Sequence, residues 1–195
     1  MERKSHARLV KICVCAVAIA LEIVLNRFVS INTAGWKIGF AFLPPTLVAI
    51  LYGPGWSALV YALSDFIGAV LFPIGPYHPG FSVCAALMGI VAGLLLCSDP
   101  LHLDHEGERC DMKLQLHYNK IGFFTNILPC VLINCILIGL FINTAWVAML
   151  YGSKTYWGWF VYRLPEYAIM VPVQLLLIPV LLTVKKALVK ANLAK

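Results

Sequence analysis

Charge is what this chain has least of. Charged residues make up 12% of its 195 positions, with nine Asp and Glu against fifteen Lys and Arg. A water-soluble domain carries roughly 25% charged and roughly 45–50% apolar residues. Here the hydrophobic share is 61% and the mean hydropathy is +0.86. So little charge at that hydropathy excludes disorder, an ordinary soluble enzyme and a nucleic-acid-binding domain, and points to a polytopic membrane protein. Motifs of catalysis are also missing. The phosphate-cradling run G-x-x-x-x-G-K-[ST] is absent: Gly75 and Gly80 have its glycine spacing, but Phe81 follows. The chain therefore does not hydrolyse ATP by that route. G-x-S-x-G and H-E-x-x-H are absent as well, and no catalytic residue is assigned. There is no CxxC pair, and seven cysteines, an odd number, argue against a disulfide framework. Most of them sit in apolar runs, where free cysteine behaves as a small hydrophobe. His102, His105 and Cys110 share a polar loop but match no zinc-ligand spacing, so neither a metal site nor a cofactor is expected.

What is present is a series of apolar runs. A spanning helix needs about 20 mostly apolar residues. The runs are Leu9–Ile31, Ile38–Tyr52, Trp56–Phe72, Gly80–Cys97, Ile121–Tyr151 and Trp157–Val184. The expected fold is an all-α membrane protein, a bundle of six transmembrane helices in a single domain over residues 1–195. The first run exceeds the roughly 7–15 residues of a signal core, so no cleavable leader is expected. The second is short and carries Pro44-Pro45. Tyr52-Gly53-Pro54-Gly55 makes a tight turn and joins the second and third helices in a hairpin. The fifth run is longer than one membrane thickness; it tilts, or ends near Asn143-Thr144. Ser98–Lys120 is the strongly polar segment and reads as a solvated loop. Lys and Arg set the orientation. With the N-terminus in the cytoplasm, eleven basic residues fall inside, and Arg27, Lys37, Lys154 and Arg163 fall outside. Six spans then return the C-terminus to the cytoplasm, with 98–120 as a cytoplasmic loop.

Charged groups at membrane depth cost at least about 2.5–3.5 kcal/mol each. Arg27, Asp65, Arg163, Glu166 and the amide of Asn143 gather in the outer third of the membrane. Pairing among themselves explains any one of them. It does not require all of them to share one depth, and such a cluster reads as a substrate site. Glu22 lies deeper and about 140° from Arg27 on a straight helix; a structural hydrogen bond is expected there. The outer loops are rich in Gly, Pro and aromatics. Trp36, Phe72, Tyr77 and His78 are candidates for pocket walls or a lid, with Trp157 and Tyr156 read as interfacial belt residues. Two arginines beside aromatics fit a ligand with carboxylates at one end, which arginine grips in a fork, and a flat ring at the other. In the cytoplasmic half, Ala16 and Ala20, Ala58 and Ala62, and Gly89 and Gly93 make small-xxx-small steps. These serve either packing inside the bundle or docking of another membrane subunit.

Six short spans, the Ala16–Ala20 step, no ATPase motif and an outer polar pocket resemble the S component of an energy-coupling factor (ECF) vitamin transporter. Several stretches are similar to the folate-specific branch: Leu25-Asn26-Arg27-Phe28-Val29-Ser30-Ile31, Ile38-Gly39-Phe40 through Leu43-Pro44, and Leu51-Tyr52-Gly53-Pro54. So are Asp65, Leu71-Phe72-Pro73 with Gly75, Tyr77, Pro79-Gly80-Phe81, and Arg163-Leu164-Pro165. The resemblance implies a substrate-binding subunit in a bacterial plasma membrane, not an enzyme. It implies folate as ligand, a transmembrane coupling subunit and two cytoplasmic ATPases as partners, and Ala16 and Ala20 as the coupling-subunit contact. Arg27, Asp65, Asn143 and Arg163 are the expected polar contacts to the ligand. The competing readings are an S component for riboflavin, thiamine or a queuosine precursor, a stand-alone secondary transporter, and an intramembrane enzyme seeded by Asp65, Glu166 and His78.

Overall fold

The computed structural model describes residues 2–32, 37–73, 75–97, 122–152 and 155–190; Trp36 and the polar segment 98–120 lie outside them. Helix α1 (Glu2–Val24) passes into a π-helical turn, Leu25–Val29. A short antiparallel pair follows, β1 (Ile31–Asn32) and β2 (Lys37–Ile38), with Ile31 opposite Ile38. Then come α2 (Leu43–Tyr52), α3 (Pro54–Leu71) and α4 (Pro79–Leu96). The fifth helical segment is continuous over Phe124–Tyr151, and the last helix covers Tyr156–Lys190.

Five of these helices are long and apolar enough to cross a membrane. The second apolar run behaves differently from its expected Ile38–Tyr52 span. Its first residues pair in the β-hairpin, and the helix is ten residues, about 15 Å at 1.5 Å rise per residue. Pro44 and Pro45 do not interrupt it. They sit in its first turn, where a missing N–H has no intrahelical partner to lose. The turn into α3 is a single residue. Gly53 has φ +82°, a conformation that glycine adopts without Cβ strain, and its N–H still donates to the Ala49 carbonyl at 3.1 Å.

Two apolar clusters fill the half of the bundle away from the hairpin. One joins α2, α4, the fifth segment and the last helix through Ile50, Leu96, Ile127, Val131 and Ile178, and the other joins α1, α2 and α3 through Cys15, Ala18, Val48 and Val60. Of the small-residue steps, the one on α4 serves packing inside the bundle. Gly89 and Gly93 are buried, and a Cβ on Gly89 would lie 2.7 Å from the Ala58 backbone, while one on Gly93 would meet Pro54. They serve the α3–α4 crossing, where bare backbones pack closely. Ala16 and Ala20 are exposed on the outside of α1.

Gly89→Leu is therefore predicted to lower the thermal midpoint of the detergent-solubilised protein, reflecting roughly 1–3 kcal/mol of overpacking. Gly55→Ala, where a Cβ would meet nothing within 4 Å, serves as the control. An unchanged midpoint for Gly89→Leu refutes the close crossing.

Candidate functional site

Toward the end of the bundle that carries the hairpin and the α3–α4 loop lies a cavity of about 370 Å³. Small-molecule sites are typically about 300–1,000 Å³. Its outer rim is formed by Lys37, Gly39, Pro73, Gly75, Pro76, Tyr77 and Tyr151. Its floor is the apolar core itself, since Ala92, Cys130, Cys135 and Ile178 belong to both. The volume thus ends where the helices pack tightly in the other half of the bundle.

The last helix brings its polar residues to this cavity on one face. Arg163 and Glu166 are three residues apart, hence neighbours on a helix surface. Arg163 is 5% exposed and makes three charge-assisted bonds: Nε donates to Glu166 Oε2 at 3.3 Å, Nη1 to Thr144 Oγ1 at 3.1 Å and Nη2 to the Tyr167 hydroxyl at 2.8 Å. Tyr167 reaches this position because residue 139 is glycine; a Cβ there would sit 2.7 Å from its ring. The second oxygen of Glu166 accepts from the Lys37 backbone N–H at 3.2 Å. One carboxylate thereby ties the last helix to the hairpin. Arg163 lines the cavity, but its guanidinium is already engaged by protein, so the free fork expected of it is not what the structure presents.

Arg27 is the cation that fits the free role. It lines the cavity, and its Nε is buried without a hydrogen-bond partner among the described residues. Its guanidinium lies against the bare backbone of α3: a Cβ at Gly68 would be 3.2 Å from Nε and 3.3 Å from Nη2. Asn143 lines the cavity as well, with its Oδ1 unpartnered in the same sense.

Asp65 also lines the cavity and holds neither arginine. Its Oδ2 accepts from the Ser82 hydroxyl at 2.8 Å, and Ser82 Oγ lies 2.7 Å from the Tyr77 hydroxyl. Ser82 has one proton, given to Asp65, so Tyr77 donates to Ser82. Asp65 thereby pins Tyr77 at the rim. Of the other expected wall residues, Phe72 and His78 do not line the cavity. Phe72 packs edge-on against Phe28 at 5.4 Å. His78 accepts the Gly80 N–H on Nδ1 at 3.0 Å, capping α4, and stacks on Trp146 at 4.7 Å. Trp36 lies outside the described residues.

Several lining residues were not expected: Glu22, Lys37, Tyr61, Asn134, Glu166's neighbour Tyr167, and Gln174. Glu22 does make the expected hydrogen bond, accepting from Asn26 Nδ2 at 2.9 Å. It nonetheless faces the same cavity as Arg27. A straight-helix projection separates the two, but the π-turn holds one more residue per turn, as the Ser30 N–H to Leu25 carbonyl bond at 2.9 Å shows. That rotates Arg27 back toward the side of Glu22. Wide turns of this kind recur at functional sites, and hydropathy does not report them.

Comparison with known proteins agrees with this architecture. The profile of the family described as ECF-type riboflavin transporter, S component, matches residues 7–187. The folate transporter FolT of Clostridium novyi (strain NT) is 34% identical over 163 residues, covering 84% of this chain and 82% of that protein. FolT of Leuconostoc mesenteroides subsp. mesenteroides is 35% identical over 79 residues, or 40% of this chain and 42% of that protein. A crystal structure of FolT bound with folic acid superposes with a TM-score of 0.64 at 27% identity, covering 85% of this chain and 86% of the other.

Arg163 provides a test of the geometry itself. Arg163→Met leaves Glu166 as a buried, uncompensated charge and is predicted to cost about 3–5 kcal/mol of stability. Adding Glu166→Met should restore most of the thermal midpoint. A double variant as unstable as the single one contradicts the pairing.

Proposed function

The chain belongs to the ECF-type riboflavin transporter S-component family, and from that membership we propose that it is the folate-binding subunit of a vitamin uptake transporter. It is a multi-pass membrane protein that binds a substrate rather than an enzyme that converts one. The observation that carries the folate reading is the cavity's mixed wall. Arg27 lies there with an unsatisfied guanidinium nitrogen, Lys37 stands at the rim, and Tyr61, Phe81 and Tyr167 supply aromatic faces. Folate is a dianion with a flat heterocycle, and it cannot cross hydrocarbon. A pocket with cations and aromatic faces offsets its desolvation, and loops held over the rim exclude water. The relatives named for folate support the same substrate over the riboflavin of the family's description.

On this reading the subunit takes folate from outside a bacterial plasma membrane. It delivers folate inward with a transmembrane coupling subunit and two cytoplasmic ATPases. Ala16 and Ala20 are the contact for the coupling subunit; their exposure on α1 leaves their small side chains available to another helix.

Titration of the purified protein in detergent without ATP, followed by tryptophan fluorescence, tests the substrate. Saturable binding of folate with no response to riboflavin is expected; the reverse pattern reassigns the ligand. Arg27→Ala should weaken folate binding at least tenfold, about 1.4 kcal/mol, with the thermal midpoint kept. Unchanged affinity removes Arg27 from the site. Ala16→Trp should abolish co-purification with the coupling subunit and ATPases while sparing folate binding by the isolated subunit; assembly at normal yield dismisses the docking face.

A further inference from the structure

Glu22 stands apart from the other acidic residues of the cavity. Asp65 is engaged by Ser82, and Glu166 by Arg163 and Lys37. Glu22 lines the same cavity, is 7% exposed and takes part in no ion pair among the described residues. Its Oε1 accepts from Asn26, its Oε2 has no hydrogen-bond partner there, and Lys37 is the cation whose charge acts on it most, without an ion pair. Burying an unsatisfied carboxylate is costly, and one aimed into a ligand cavity calls for a donor that the ligand brings. A carboxylate accepts along about four lone-pair directions, so Glu22 keeps unused acceptor capacity even with Asn26 in place.

We propose that Glu22 reads the ring end of the ligand. Its carboxylate accepts the adjacent ring N–H and exocyclic amine of a 2-amino-4-oxopyrimidine edge, which folate carries. This rests on the folate reading above and deepens it. The same placement orients the ligand. Arg27 lies five residues farther toward the outer end of α1, roughly 7 Å along it. The anionic tail is repelled by Glu22 and drawn to Arg27, so the ring points inward and the carboxylates outward.

The test compares folate, a 2-desamino folate analogue lacking the exocyclic amine, and p-aminobenzoylglutamate, which lacks the ring, on wild-type protein and Glu22→Gln in detergent. Wild type is expected to bind folate at least tenfold more tightly than the 2-desamino analogue. In Glu22→Gln that preference should shrink to about twofold or less, with p-aminobenzoylglutamate binding unchanged. Equal binding of the two pteridines by wild type overturns the proposal, and that measurement needs no variant to fold. Full discrimination retained in Glu22→Gln overturns it as well. Wild type that binds no folate at all overturns the folate reading itself, which keeps the two failures distinct.

Discussion

A guanidinium held at membrane depth must find its partners inside the protein, because lipid offers none. Arg163 meets this demand with Glu166, Thr144 and Tyr167. The bond to Thr144 draws the fifth segment onto the last helix, and the pair with Glu166 sets that carboxylate where it also holds the hairpin through the Lys37 backbone N–H. One buried ion pair thus fixes a wall of the cavity and its rim together. Pairing offsets the charge of Arg163 locally, whereas Arg27, on the same cavity, keeps a guanidinium nitrogen without a partner among the described residues.

Packing sets the shape around that network. Glycines on α4 bring it against α3 in the half away from the hairpin, and a one-residue turn binds α2 to α3. There the helices pack into continuous apolar clusters. Toward the outer end the helices leave space lined by polar groups, with short Gly- and Pro-rich connections over it. The result is a site closed at one end by core packing and bordered at the other by short connections. Ala16 and Ala20 belong to neither feature and are exposed on the outside of α1.

The division between what could and could not be read beforehand follows physical lines. The apolar runs, the Gly53 turn and the outer gathering of Arg27, Asp65, Asn143 and Arg163 were all legible. Hydropathy and the cost of buried charge act on each segment by itself, whatever its neighbours. Glu22 was placed in angle by assuming 100° per residue, an assumption the π-turn at Leu25–Val29 breaks. Phe72 and His78 lie in a loop whose composition suits a pocket wall or lid. Composition does not say that Phe28 and Trp146 offer them better-packed partners.

The chain alone therefore determined the solvent it lives in, its count of helical runs and the end of the membrane where its polar chemistry collects, since each is a sum over local transfer free energies. Only the tertiary structure decided which of those polar groups satisfy one another and which are left without a partner. That choice depends on helix rotation and on contacts between residues far apart in sequence, such as Lys37 with Glu166 and Arg163 with Thr144, which no local sum contains.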